Sequence, residues 1–316
     1  SIFAKNRKTT PKICYQKCND IANAKTILLL RQDRIGDLLV TTPFLRNLQD
    51  AFPETQISIL LSERNVVAQS CIKPYCSEIF VLRKNPLQFL RLVRQLRRKR
   101  FELVIDLLDN PSVTSSILVR LLKARLSLGF EKENRNIYTH TVPLPDKSQV
   151  HIVERIANFL IPFGLDPSNY DLSLEYPLKE IRSLPPKSML RLGINISGSS
   201  REKFWGVHNF IELIKRIKSN FPLDIVLFST KDYRNEIKQI QSETNTSIAN
   251  FTKDFDEFTS LIASCDLLIT PDTSVVHLAS CFKIPVVVFF HVIGNEFGMP
   301  WLPYKTNCAY LASSKD

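Results

Sequence analysis

Short apolar runs alternate with amphipathic stretches along most of this chain. In the first half, Thr26–Arg31, Ile57–Leu61, Glu78–Leu82 and Leu103–Asp106 read as strands, compact and apolar as strands covered on both faces are. Helical spacing runs from Asp37 to about Phe52, with Leu38, Leu39, Thr42, Leu45 and Leu48 on one face, and again over Pro86–Arg100 and Ser112–Lys123. Pro43 falls in the first two turns of the first of these helices, where proline is best tolerated, and Pro53 ends it. The second half repeats the plan. Leu192–Ile196, Asp224–Phe228, Leu267–Thr270 and Pro285–Phe290 read as strands. Val207–Lys218, Tyr233 to about Gln241, Phe255–Ser264 and Ser274–Cys281 read as helices. Strand–helix alternation of this kind predicts parallel sheets wrapped by helices, hence an α/β fold.

Between the halves, residues 166–187 lose periodicity and carry Pro167, Pro177, Pro185 and Pro186. This segment reads as a linker between domain 1–165 and domain 188–316. With 316 residues, the chain has enough length for two separate cores. No apolar run approaches the ~20 residues that span a bilayer, and Ser1–Lys25 is polar and basic, without the apolar stretch of a signal peptide. The 7 Cys are scattered and odd in number, which argues for a reducing, cytoplasmic compartment. Neither Cys14 and Cys18 nor Cys71 and Cys76 has the spacing of a zinc knuckle, so no metal is expected. The chain has 8 Gly and no G-x-G-x-x-G or P-loop, which disfavours a nicotinamide dehydrogenase or a P-loop ATPase. The net charge of +11 calls for an anionic partner: nucleic acid, a membrane surface or a phosphorylated substrate.

The chemistry concentrates in two polar turns that each follow a strand. The first is Arg31-Gln32-Asp33-Arg34-Ile35-Gly36-Asp37; the second is Thr270-Pro271-Asp272-Thr273-Ser274-Val275-Val276-His277. Each sets a carboxylate at the C-terminal end of a strand, where open α/β sheets bind ligands. Two such ends suit a transferase that holds two substrates. Asp37 has two readings, a catalytic carboxylate or a carboxylate stabilised at a helix start. Arg31 and Arg34 either meet acidic groups of a substrate or pair with Asp33. Gly36 allows a tight turn and close approach. Asp272, Thr273 and Ser274 open a helix whose N–H groups suit a pyrophosphate, or Asp272 is a bare cap. Trp205 reads as a packing anchor for its loop.

The span Arg31–Leu48, R-x-D-R-I-G-D-x-x-x-T-T-P-x-L-x-x-L, resembles the N-terminal signature of glycosyltransferase family 9, the ADP-heptose:lipopolysaccharide heptosyltransferases. Asp272–Ser280, D-T-S-x-x-H-L-A-S, is similar to the family's D-T-G-x-x-H-L-A-A. Asn195–Lys203 with Trp205 resembles its loop of small hydroxyl residues followed by Lys and Trp, and Phe101–Asp106 its Y-D-L-x-I-D strand. The resemblance implies a GT-B architecture: two Rossmann-like, doubly wound domains facing a central cleft. It implies inverting, metal-independent transfer without a cofactor, from a nucleotide sugar such as ADP-heptose to a lipopolysaccharide or lipooligosaccharide inner-core acceptor. Asp37 matches the catalytic aspartate, which takes the proton of the attacking hydroxyl. Ser199, Ser200 and Lys203 match positions that hold the diphosphate; Asp272, with Thr273 and Ser274, matches the donor-sugar site. His277 reads as a ligand-orienting residue or as a packed structural histidine. Arg31, Arg34 and Gly36 fall to the acceptor side. Ser274 stands where the family has glycine, which leaves another nucleotide sugar, such as a hexose donor, in play.

The helix over residues 86–100 carries an apolar stripe of Leu87, Leu90, Val93 and Leu96, with Arg91, Arg94, Arg97, Arg98, Lys99 and Arg100 around it. It is either a surface helix with a solvated polar face or a site for anionic lipid on the inner face of the inner membrane, with Lys5, Arg7, Lys8 and Lys12 adding to the patch. A non-enzymatic nucleic-acid binder fits the charge alone. No helix-turn-helix, zinc or RNP signature supports it, and no nucleic-acid partner is expected.

Overall fold

A computed structural model describes residues 10–178, 187–198, 200–292 and 301–314. The chain divides into two compact units, Ser1–Leu172 and Ser173–Asp316; the division falls inside the proline-rich segment. Ser199, residues 179–186 of that segment, and Lys5, Arg7 and Lys8 lie outside the described residues.

The first unit holds strands β1 (Lys12–Ile13), β2 (Thr26–Leu30), β3 (Gln56–Ser62), β4 (Glu78–Leu82), β5 (Leu103–Asp106), β6 (Leu126–Phe130) and β7 (His140–Val142). They form a 7-stranded sheet in the order β1-β7-β6-β5-β2-β3-β4, with every pairing parallel. The helices are α1 (Asn19–Ala22), α2 (Ile35–Leu39), α3 (Thr42–Ala51), α4 (Pro86–Lys99), α5 (Val113–Leu122) and α6 (Ile152–Ala157). Leu28, Leu30, Leu60 and Val104 of the sheet bury against Leu92, Val93 and Leu96 of α4 and Leu118 and Leu122 of α5, each leucine worth roughly 2 kcal/mol when removed from water.

Two sequence expectations change here. The helix read as continuous from Asp37 to about Phe52 is two helices, α2 and α3. Pro43 has no N–H for the Leu39 carbonyl; the Thr42 hydroxyl donates to that carbonyl instead (2.8 Å), and Thr41 donates likewise to the Asp37 carbonyl (2.8 Å). On α4 the buried stripe is Leu92, Val93 and Leu96 with Phe89 packed beside it, whereas Leu87 and Leu90 are 67% and 51% exposed. β6 and β7 were not legible. β6 contains Gly129, where an added Cβ would lie 2.5 Å from the Tyr138 ring, so the absent side chain that weakens the strand pattern is a packing requirement.

The second unit holds β8 (Arg191–Asn195), β9 (Asp224–Phe228), β10 (Ser247–Ile248), β11 (Leu267–Pro271), β12 (Val286–Val292) and β13 (Cys308–Ser314), with α7 (Val207–Asn220), α8 (Arg234–Thr244), α9 (Phe255–Ala263) and α10 (Ser274–Phe282). The 6-stranded sheet runs β10-β9-β8-β11-β12-β13, again parallel throughout. β13 escaped the sequence reading because it lies at the sheet edge with Tyr310 and Leu311 exposed, so it shows neither alternation nor a closed apolar run.

Both sheets reverse their winding once. In the first, the chain steps outward from β2 to β4, then returns to the other side of β2 with β5; in the second, it steps from β8 to β10 and returns with β11. The C-terminal ends of β2 and β5, and of β8 and β11, are therefore the topological switch points, where open α/β sheets hold ligands.

Candidate active site

At the first switch point, β2 is followed directly by Arg31, which is 1% exposed. Its Nε donates to the Asp37 carbonyl (2.8 Å) and its NH1 to the Leu107 carbonyl at the end of β5 (3.0 Å). The guanidinium also lies 3.2 Å from Asp33 Oδ2 and 3.6 Å from Asp37 Oδ1. The Arg31 carbonyl accepts from Asn65 Nδ2 (2.7 Å). Arg31 therefore holds the loop together from within, and of the two readings of this residue the pairing with Asp33 is the one observed. Arg34 is exposed.

Asp37 is half-buried on α2, and the Arg34 backbone N–H donates to its Oδ2 (3.2 Å). It thus stabilises the helix start while keeping an oxygen beside the guanidinium. Burial pushes its pKa above the ordinary carboxylate range, and Asp109 adds to this; Arg31 and the Arg34 N–H act the other way. Asp33 is pushed up to about 7, first by burial, with Arg31 opposing and Asp37 and Asp106 reinforcing. Gly36 lies within α2 and has no positive φ, so no tight turn demands glycine there.

Behind these residues lies a second layer, of which the sequence marked only Asp106, as the end of the Phe101–Asp106 strand motif. Asp106, at the end of β5, is fully buried and accepts from Lys132 Nζ (3.1 Å), the Tyr138 hydroxyl (2.6 Å) and the Leu108 N–H (3.2 Å). Asp109 accepts from Arg155 NH1 (2.7 Å) and lies 3.6 Å from Lys147. Arg155 is itself buried, with Nε and NH2 unpartnered among the described residues. Gln32 Nε2 donates to Ser115 Oγ (2.7 Å), tying the loop to α5.

At the second switch point, Asn195 bridges β8 and β11. Its Nδ2 donates to Thr270 Oγ1 (2.9 Å) and to the Ser197 carbonyl (3.2 Å). Ser197 Oγ accepts from the Thr230 N–H (2.7 Å). Thr273, rather than Asp272, caps α10: its Oγ1 accepts from the Val275 N–H (3.3 Å). That frees the Asp272 carboxylate, which pairs with Lys203 Nζ at 2.5 Å, both groups half-buried. Ser200 is exposed and Ser274 half-buried beside them. The loop between β8 and α7 closes tightly: a Cβ on Gly198 would lie 2.8 Å from the Ser200 carbonyl and 2.9 Å from the Lys203 backbone carbon. Trp205 stacks 4.7 Å from Phe289 and edge-on to Phe210 (5.3 Å), which makes it the loop's anchor.

His277 is 4% exposed, its Nδ1 is unpartnered among the described residues, and Trp301 lies 6.0 Å away edge-on. Burial lowers its pKa to about 4, so it is neutral near pH 7. The described residues hold no group of His, Cys, Asp and Glu that could take a metal ion, although Cys18 Sγ lies 3.7 Å from His140 Nε2. None of the described helices is long and apolar enough to cross a membrane.

Two parallel, doubly wound sheets with polar loops at their switch points define an α/β protein of the GT-B class. Comparison with known proteins gives the family. The model for glycosyltransferase family 9 (heptosyltransferase) matches residues 89–315, and the chain belongs to that family; it is a glycosyltransferase. Among curated relatives, lipopolysaccharide heptosyltransferase 3 of Escherichia coli is 26% identical over 291 residues, 84% of this chain and 83% of the relative. Among solved structures, a family 9 glycosyl transferase from Veillonella parvula superposes with a TM-score of 0.76 at 18% identity, over 92% of this chain and 86% of the other. The E. coli heptosyltransferase WaaC with ADP-2-deoxy-2-fluoro heptose gives 0.72 at 17% identity, over 90% and 92%.

Proposed function

We propose that this protein transfers a heptose from ADP-heptose to an inner-core sugar of lipopolysaccharide or lipooligosaccharide, with inversion at the anomeric carbon. The observation that carries the reading is that the two polar loops of the family 9 pattern occupy the switch points of their sheets, one centred on Asp37 and the other on Lys203 and Asp272. The family membership and the heptosyltransferase relatives support the choice of sugar.

In this reading Asp37 accepts the proton of the acceptor hydroxyl as its oxygen bonds to the anomeric carbon. The bond from that carbon to the diphosphate oxygen breaks, and the nucleoside diphosphate leaves with the electron pair. A raised pKa brings Asp37 closer to the range in which a carboxylate is an effective base. Arg31 fixes its position. Lys203 leaves Asp272 for the diphosphate as negative charge develops there, and Asp272 then meets the sugar hydroxyls. Ser199, Ser200, Thr273 and Ser274 add hydroxyl donors, and neutral His277 shapes the wall behind them. Arg34, exposed beside Asp37, and Gly36 face the acceptor. No cofactor or metal is invoked. The domains act as acceptor unit and donor unit, joined through the proline-rich segment.

The acceptor lies in the inner membrane, so the enzyme works in the cytoplasm as a peripheral protein. The arginine-rich α4, with Leu87 and Leu90 exposed, supplies attraction to the anionic surface, about 1 kcal/mol per cation close to it.

A thermal-shift series with ADP-heptose, ADP-glucose, UDP-glucose and ADP tests the donor, since a ligand bound only by the native state raises its apparent stability. ADP-heptose is expected to give the largest shift. A larger shift with a hexose donor would reassign the sugar and point to Ser274 as the cause.

A further inference from the structure

A group of cations in the first unit lies away from the loops just described. A cavity of about 660 Å³ opens at the N-terminal ends of β5 and β6, lined by Arg97, Arg100, Lys123 and Arg125, with Glu102 and Phe101 among its other walls. Asp37 and its partners sit at the opposite, C-terminal edge of the same sheet. We propose that this cavity is a binding site for clustered phosphate, either a phosphorylated lipid headgroup or a soluble polyphosphate.

The charge balance is the first argument. Four cations face one carboxylate, and Glu102 Oε2 already accepts the Lys25 backbone N–H at 2.9 Å. Arg125 lies 3.8 Å from Asp20, both side chains exposed, an interaction worth little. Among the described residues the side chains of Arg97, Arg100 and Lys123 have no hydrogen-bond or ion-pair partner. Glu102 and Asp20 leave these four exposed cations with an excess of two positive charges, which an anion of two charges neutralises.

The second argument is shape. The last turn of α4 favours cations because of the helix dipole, which accounts for Arg97. It does not account for Arg125, which enters β6, nor for convergence on one cavity. Phe101, only 9% exposed, gives the cavity an apolar wall that strengthens charge-assisted hydrogen bonds nearby. Arginine forks match phosphate oxygens in pairs. The proposal depends on the membrane-facing assignment of α4 only for a lipid source; phosphate binding as such does not.

The test compares two double variants of equal charge loss, R97Q/R125Q in the cavity and R91Q/R94Q outside it, each checked for an unchanged melting temperature without ligand. The full-length protein is titrated with inorganic tripolyphosphate in the presence of saturating ADP, with hydrogen exchange followed over residues 97–103 and 122–127. It is also sedimented with phosphatidylcholine vesicles carrying phosphatidic acid or phosphatidylglycerol at matched surface charge. The wild type and R91Q/R94Q are expected to bind tripolyphosphate with protection of both segments. R97Q/R125Q should bind about tenfold more weakly or worse, two charge-assisted contacts having gone. A matching selective loss on phosphatidic acid assigns the phosphate to lipid; a loss confined to tripolyphosphate assigns it to a soluble anion. Equal tripolyphosphate affinity in the two variants, or binding by the wild type without protection of either segment, overturns the proposal. Failure of ADP to bind in the same preparations would count against the donor assignment and leave the cavity untouched.

Discussion

At the scale of single residues, the buried polar groups and their partners set the chemistry of the first loop. Arg31 satisfies two carbonyls and neighbours two carboxylates from a fully buried position. Arg31→Lys keeps the charge and loses the fork, so it should cost about 2–4 kcal/mol of stability, read by urea unfolding, and lower kcat more than it raises the donor KM. A loss confined to acceptor KM would show that Arg31 binds substrate directly. His277 gives a pH prediction. Its pKa falls from 6.5 in the unfolded chain to about 4 in the fold, so its contribution is present above 6.5, declines as pH falls, and is gone below 4. Over that window the loss is about 3 kcal/mol. His277→Gln should therefore flatten the acid side of a melting-temperature profile; an unchanged slope would show that other groups carry it. The carboxylates of the two turns were legible in sequence because a polar run after an apolar strand has few structural explanations. Asp106 was legible only as the end of the Phe101–Asp106 strand motif, and Asp109, Lys132 and Arg155 were not: Asp109 and Arg155 are 46 residues apart, and neither sits in a pattern that marks it.

At the scale of elements, the sequence pattern located most strands and helices because strands buried on both faces are short apolar runs and the helices flanking them are amphipathic. It failed where an element is short, at an edge or interrupted. β1 and β10 have too few residues to show a period, β13 lies at an edge, and the α2–α3 break is made by Thr41, Thr42 and Pro43 through side-chain hydrogen bonds that periodicity does not register. The β8–α7 loop gives a prediction at this scale. Gly198→Ala places a Cβ against backbone at 2.8 and 2.9 Å, so the loop must open and Lys203 must move. The ADP dissociation constant, measured by calorimetry, should rise about tenfold, roughly the loss of one charge-assisted hydrogen bond. Unchanged ADP affinity would mean that this loop does not hold the diphosphate.

At the scale of the whole molecule, two winding reversals of the same kind, one per unit, give each half a switch point at the C-terminal edge of its sheet, and the family places this chain among glycosyltransferases. The excess of +11 belongs to this scale too. Binding to vesicles of anionic lipid should weaken steeply as salt rises past the point where the Debye length is about 8 Å, and sedimentation at several ionic strengths checks this. Salt-independent binding would make the exposed leucines of α4, not its arginines, the anchor. Transfer in this reading requires Asp37 as the base. The most direct test is the rate of heptose transfer from ADP-heptose to a deacylated inner-core acceptor by wild type and Asp37→Asn, with ADP binding measured on the same samples. The account predicts a fall in kcat of about 10²-fold or more with ADP affinity retained; a folded Asp37→Asn enzyme that turns over at the wild-type rate would contradict it.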